Sequence, residues 1–158
     1  MLAVGSLTSK ITFLSNNTST SKSDWLGIQI RPTGGSVINN DQTYLSGSQI
    51  KYVIISNANI GVYVYNAGLH LTFVDFVNNN IGIEFRNSNN IVVNNCKFEN
   101  NNNGIFNQSK DYISPDLIGN ITNSYIQDNN FVSNSNGANF SLSNKVAGAE
   151  GLEPPTDG

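Results

Sequence analysis

Aromatic and charged residues recur at one position of a repeated segment, and their spacing is the first sign of chemistry in this chain. Tyr63, Glu84 and Phe106 lie 21 and 22 residues apart. Aromatic rings stack on the apolar faces of sugars, whereas arginine and glutamate orient a polar ligand through hydrogen bonds. The pattern predicts an outward-facing strip that binds a ligand, formed by Arg31, Tyr63, Tyr65, Glu84, Arg86 and Phe106.

The same residues also have an interpretation without any ligand. Tyrosine and phenylalanine are ordinary strand formers that a loop can cover, and Glu84 and Arg86 can be solvated charges. Both interpretations stay open at the level of sequence.

Catalysis has less support than binding. Glycoside hydrolysis needs two carboxyl groups about 5 to 9.5 Å apart, and Glu84 has no second acid in its column. Asp111 or Asp116 from a later segment could approach it, although nothing in the sequence requires this. We therefore predict no catalytic residue and keep a polysaccharide-active enzyme (lyase, hydrolase or epimerase) as an alternative.

The segments that position the strip share a glycine followed by an apolar residue. This pair starts at Gly27, Gly61, Gly82, Gly104 and Gly137. Apolar residues alternate with polar ones around each glycine, which is typical of strands with one buried face. Because the repeat is too short to hold a crossover helix, each strand must pair with its equivalent in the next repeat. The sequence predicts an all-β solenoid of about five to six coils.

Columns of large apolar residues and of asparagine accompany the glycines. The chain contains 28 asparagines, and this residue tolerates the left-handed backbone conformation of tight corners. We expect one corner of every coil to be lined by asparagine. The apolar column contains Ile55, Phe76, Phe98 and Phe131; the corner columns contain Asn57, Asn78, Asn100 and Ser133, and Ala58, Asn79, Asn101 and Asn134.

This repeat resembles the right-handed parallel β-helix family, whose pectate-lyase-like members include carbohydrate-binding proteins and sugar hydrolases. The segment from Asp24 to Ile30 looks like a coil opening of that family, and the resemblance covers roughly residues 11–142. It implies an extracellular or cell-surface module that binds glycans or acts in adhesion. The family motifs Asn-Thr-Asp, Asp-Asp, Gly-His-Gly and Arg-x-Pro-x-x-Arg are absent, so no family catalytic residue is carried over.

The predicted domain organisation is a β-helix over residues 1–143 and a disordered tail over residues 144–158. Two loop insertions are expected, between Pro32 and Ser48 and between Ser109 and Asn120, where glycine, proline, asparagine and aspartate cluster. Residues 1–10 lack the features of a signal peptide. We therefore expect the domain to be a fragment or short version of a longer exported solenoid.

Composition narrows the possible partners. The chain has 8 basic and 11 acidic residues and a net charge of −3, which argues against nucleic acid, and it has no apolar run of membrane-spanning length. His70 is predicted to be a surface residue without a metal, and Cys96 to be a buried, inert thiol. The predicted partner is a polysaccharide or glycan surface, with no cofactor.

Two further expectations concern charges and chain ends. Asp75 and Lys97 occupy one outward column and are predicted to form an exposed ion pair. The end coils of a short solenoid expose strand edges and apolar columns, so they need caps. A longer parent chain, end-to-end self-association or a partner would each satisfy that need, and a purely structural role is a further alternative.

Overall fold

The structure, a computed structural model, describes residues 1–17, 21–39, 43–86, 88, 90–107, 125–127 and 130–132. These residues form short strands that belong to five successive coils, together with one 3₁₀ turn at Pro32–Gly34. The strands are β1 (Leu2–Val4), β2 (Ile11–Phe13), β3 (Ile28–Ile30), β4 (Val37–Ile38), β5 (Tyr44–Ser46), β6 (Gln49–Ser56), β7 (Ile60–Tyr65), β8 (Leu69–Val77), β9 (Ile81–Arg86), β10 (Ile91–Asn94), β11 (Lys97–Glu99), β12 (Asn103–Asn107), β13 (Tyr125–Gln127) and β14 (Asn130–Val132).

Equivalent strands of successive coils pair in parallel, which confirms the predicted parallel β-helix. One sheet has the order β1-β6-β8-β10-β13, with β2, β11 and β14 attached beside this path, and a second has the order β3-β7-β9-β12. The register matches the columns expected from sequence. The aligned positions are Ile55, Phe76, Phe98 and Phe131 in one column, Ile50, Leu71, Val93 and Ile126 in another, and Ile28, Val62, Ile83 and Ile105 in a third.

Residues in the left-handed conformation form the corners of each coil. Tyr52, Phe73 and Asn95 bend the larger sheet into a first and a second flank, and their φ values are 52°, 57° and 53°. The Tyr52 and Phe73 rings stack with centroids 4.9 Å apart. The corner between the second flank and the third flank, which is the smaller sheet, carries Asn57, Asn78 and Asn100 at φ 60°, 56° and 54°. Asparagine is expected there because it tolerates this conformation better than most residues.

Close packing between successive coils explains why glycine recurs in the repeat. Phe76 and Phe98 are buried, and their rings stack in parallel with centroids 4.9 Å apart. A Cβ added to Gly82 would lie 2.4 Å from the Gly104 carbonyl oxygen and 2.9 Å from Phe98 Cδ1. Gly61 has the same relation to Phe76 Cδ1, at 3.0 Å. At Gly61 and Gly82, a side chain would therefore collide with the backbone and with the phenylalanine of the next coil.

The first predicted insertion is confirmed as a departure from the coil. After the 3₁₀ turn, β4 and β5 form an antiparallel hairpin. Two buried serines attach it to the coil: the Ser36 hydroxyl donates to the Ser48 carbonyl, and the Ser48 hydroxyl donates to the Gly34 carbonyl. The second predicted insertion, Gly137 and the predicted tail lie outside the described residues.

The core holds the single cysteine, as predicted. Cys96 is buried, and its burial raises the pKa of the thiol to about 12. Such a thiol stays protonated at neutral pH and is inert. No helix among the described residues has the length and apolar character needed to cross a membrane.

Candidate ligand-binding site

The third flank positions the predicted strip. Tyr63 on β7, Glu84 on β9 and Phe106 on β12 are direct partners in the parallel register, and Gln29 on β3 precedes them. Their chain neighbours Val62, Val64, Ile83, Phe85 and Ile105 fill the core. Strand alternation therefore points this column away from the core.

Arg31, Tyr63 and Tyr65 form one connected group, which we call the aromatic platform. The tyrosine rings lie nearly parallel, with centroids 6.4 Å apart and an interplanar angle of 14°. The Arg31 guanidinium carbon lies 5.6 Å from the Tyr63 centroid and 5.8 Å from the Tyr65 centroid. Arg31 Nη2 also donates to Gln29 Oε1 at 2.7 Å. Cation–π attraction and this hydrogen bond both favour this arrangement.

Glu84 lies beside the platform on the next coil, and it is more buried than either interpretation of the sequence expected. It is 8% exposed, because large aromatic residues flank it on both neighbouring coils. Burial raises the pKa of the Glu84 carboxyl above its ordinary value, and the nearby positive charge of Arg86 opposes that rise. The expectation of a solvated glutamate is therefore wrong.

The remaining predicted residues lie on the same flank. Arg86 pairs in register with Tyr65, one coil further along the helix axis. Phe106 lies on β12, the last strand of this sheet among the described residues, and is 38% exposed. The structure thus brings all six predicted residues onto one flank.

His70 is not the surface residue that the sequence suggested. It is buried beneath the hairpin, with the Tyr44 ring edge-on at a centroid distance of 5.8 Å. Its Nδ1 lies 3.3 Å from Gln49 Nε2. The prediction failed because the hairpin is an insertion, and a repeat pattern does not show what an insertion covers. Among the described residues, no group of three histidine, cysteine, aspartate or glutamate side chains could hold a metal ion.

The predicted Asp75–Lys97 ion pair is also corrected. The two residues are register partners, but Asp75 bonds to Lys10 at 2.5 Å and Lys97 to Glu99 at 2.7 Å. Lys10 comes from the first coil, outside the repeat pattern. Glu99 is two residues beyond Lys97 on the same side of β11, and its hydrogen bond is the main cause that raises the pKa of Lys97.

The asparagine corner is more extensive than predicted, because it consists of three ladders instead of two. In the outer ladders, Asn78 Nδ2 donates to Asn57 Oδ1 at 2.6 Å and Asn80 Nδ2 to Asn59 Oδ1 at 2.9 Å. Each ladder continues to the next coil at Asn100 and Asn102. The sequence signal was an asparagine two residues after each corner residue, at Asn59, Asn80 and Asn102.

The inner ladder is fully buried. Asn79 Oδ1 accepts from the Ala58 backbone N–H at 2.9 Å, and Asn79 Nδ2 donates to the Ile55 carbonyl at 3.0 Å and to Asn101 Oδ1 at 3.0 Å. Asn101 Nδ2 donates in turn to the Phe76 carbonyl at 3.0 Å. These amides replace backbone hydrogen bonds that the corner interrupts, so the asparagine corner is structural.

The class defined by these features is the parallel β-helix with asparagine ladders. No protein-family model matches the chain, and no curated protein or solved structure matches it significantly.

Proposed function

We propose that this protein is a non-catalytic, extracellular or cell-surface β-helix module that binds a polysaccharide or glycan through its third flank. The observation that carries the proposal is the aromatic platform, in which Arg31 contacts two nearly parallel tyrosine rings. The finer resemblance to right-handed, pectate-lyase-like β-helices supports the same class of ligand.

The platform has the chemistry that sugars require. Tyrosine rings pack against the C–H faces of a sugar ring, and their hydroxyl groups exchange hydrogen bonds with its hydroxyls. The two rings lie nearly parallel without a ligand, and Arg31 contacts both of them. The platform therefore provides an apolar contact area that is already formed.

Glu84 and Phe106 extend the platform along the helix axis. Parallel coils are spaced about 4.8 Å apart, so the column of Tyr63, Glu84 and Phe106 presents successive contacts at that interval. The Glu84 carboxylate accepts hydrogen bonds from ligand hydroxyls, and its burial strengthens each bond. A chain of sugar units lying along the axis would contact one coil after another.

The arrangement of acids favours binding over hydrolysis. Glu84 is the acid of the third flank among the described residues, whereas Asp75 and Glu99 belong to the second flank. A hydrolase needs a pair of carboxyl groups on either side of the scissile bond. We propose that Glu84 orients the ligand and leaves its bonds intact.

A glycan array tests this function with a matched control. We expect Tyr63→Ala and Tyr65→Ala each to reduce retention at least tenfold, because each removes a stacking surface. Tyr52→Ala is the control: this tyrosine also stacks on an aromatic ring and also has a cation over it, since Lys51 Nζ lies 5.2 Å from its centroid. Tyr52 lies at the corner between the first and second flanks, away from the third flank. The Tyr52→Ala variant should therefore be retained on the array as well as the wild-type protein is.

Two results would overturn the proposal. One is unchanged retention in both third-flank variants, and the other is wild-type protein that binds no glycan on the array. Circular dichroism of all variants separates lost binding from lost folding. Release of reducing ends from a bound polysaccharide would favour the enzyme alternative.

A further inference from the structure

Polar and aromatic side chains alternate from coil to coil along the third flank. Its central outward column has Gln29 on the first coil, Tyr63 on the second, Glu84 on the third and Phe106 on the fourth. The chemistry of this column therefore recurs after two coils. At a coil spacing of about 4.8 Å, the recurrence distance is about 9.6 Å.

The neighbouring outward column alternates in the same phase. Arg31 follows β3 on the first coil, Tyr65 lies on the second, and Arg86 is the register partner of Tyr65 on the third. The fourth-coil position of this column lies outside the described residues. In both columns, the first and third coils thus present polar or charged groups, and the second coil presents aromatic rings.

The two kinds of coil also differ in how far their side chains stand out from the flank. Phe106 is 38% exposed, whereas Glu84, between Tyr63 and Phe106 in the register, is 8% exposed. The carboxyl group is therefore recessed between two aromatic coils. A ligand that spans them must bring an apolar face to each aromatic coil and a hydrogen-bonding group to the carboxyl between them.

On the basis of the proposed glycan binding, we infer that the ligand is a fully extended, equatorially linked polysaccharide of the cellulose or chitin type, lying along the helix axis. Each sugar unit of such a chain is turned by half a turn from the unit before it, so every second unit has the same orientation. One unit is close in length to the coil spacing. Two units therefore stack on Tyr63 and Phe106, and the turned unit between them donates a hydroxyl to Glu84.

Other linear ligands do not keep this phase with the coils. An α-linked chain of the amylose type winds into a helix, so its units do not return to one orientation at every second coil. An extended peptide returns to the same side-chain direction after two residues, which is about 6.7 Å. That distance differs from the two-coil distance of about 9.6 Å, so a peptide would lose register within a few residues.

Calorimetric titration with oligosaccharides of known length and linkage tests the inference. We expect cello-oligosaccharides or chito-oligosaccharides to bind about tenfold more tightly as trisaccharides than as disaccharides, because the third unit reaches the second aromatic coil. Malto-oligosaccharides of the same lengths should show no such step. Phe106→Ala should remove the step, so that the trisaccharide binds no more tightly than the disaccharide.

Phe73→Ala is the matched control for the phenylalanine variant. Phe73 is 37% exposed, but it lies at the corner between the first and second flanks. This variant should keep the step, and circular dichroism checks that both variants fold.

The possible results separate the inference from the proposed function. A step in the cellulose series, the chitin series or both supports the inference, and the series that shows it identifies the sugar. The inference is overturned if neither series shows a step while the array detects a bound glycan, if the malto-oligosaccharides show the same step, or if Phe106→Ala keeps it. A wild-type protein that retains no glycan on the array contradicts the proposed function itself, and the inference with it.

Discussion

The asparagine corner and the third flank bury polar side chains in different ways. Asn79 is buried, and its amide both donates to the Ile55 carbonyl and accepts from the Ala58 N–H. Glu84 is 8% exposed, and the interaction that opposes the cost of its burial is the charge of Arg86. An amide carries a donor and an acceptor, so identical residues stacked in a column satisfy each other. A carboxylate only accepts, so Glu84 gains no such partner from the aromatic residues of its own column.

The largest expected effect comes from the inner ladder. Asn79→Ala leaves the Ala58 N–H and the Ile55 carbonyl buried without their partners, and each such group costs about 1 to 3 kcal/mol. We expect the free energy of unfolding to fall by about 3 kcal/mol, measured by urea denaturation. A loss below about 1 kcal/mol would show that water or a shifted backbone replaces the amide.

The outer ladder should matter less. Asn80→Ala removes bonds to Asn59 and Asn102, but these side chains are partly exposed and water can replace the lost bonds. We expect a loss of about 1 kcal/mol or less, measured in the same denaturation series. An equal loss for Asn79→Ala and Asn80→Ala would remove the distinction between buried and exposed ladders.

Glu84→Gln should stabilise the fold at neutral pH, in contrast to both asparagine variants. The pKa of Glu84 is raised in the folded protein, so the folded state binds its proton more tightly than the unfolded state does. Wild-type stability therefore falls as the pH rises from the ordinary glutamate pKa through the raised one, and glutamine avoids this loss.

The pH dependence provides the decisive measurement for Glu84. The difference in melting temperature between Glu84→Gln and wild type should be largest at neutral pH and disappear at acidic pH, where wild-type Glu84 is protonated. A pH-independent difference would mean that Glu84 is well solvated. If Glu84 orients a ligand, the same variant should also weaken glycan retention while it stabilises the protein.

The smallest expected effects concern the second flank. A double-mutant cycle on Lys10 and Asp75 should give a coupling energy below about 1 kcal/mol, as for most partly exposed pairs. The cycle on Asp75 and Lys97 should give a coupling nearer zero, since Lys97 is bonded to Glu99. A stronger coupling for Asp75 and Lys97 would restore the pairing that the register alone suggested.

The parts of the fold that repeat were predictable from the sequence. The Ile55–Phe76–Phe98 column and the strand partners Tyr63 and Glu84 followed from alternation and spacing, because core packing enforces the same register in every coil. The parts that do not repeat were not predictable. His70 is covered by an inserted hairpin, and Asp75 bonds to a lysine of the irregular first coil.

The candidate site also has features that the sequence predicted and features that it did not. Spacing was enough to place its six residues on one flank. The burial of Glu84 depends on how the neighbouring side chains pack, and the contact of Arg31 with both tyrosines depends on a long, flexible side chain beyond the end of β3. The sequence alone therefore predicts neither the burial of Glu84 nor the contact of Arg31 with the tyrosines.

The same glycine–phenylalanine contact occurs at two successive pairs of coils. Gly61 lies against the ring of Phe76, and Gly82 lies against that of Phe98. A coil that runs from one corner asparagine to the residue before the next one therefore contains a glycine and a phenylalanine, and each matches its counterpart in a neighbouring coil. Duplicating residues 78–99 would thus supply matching parts at both junctions. We expect such a duplication to lengthen the protein without changing its interior, and each added coil would also add one more position to the outward column.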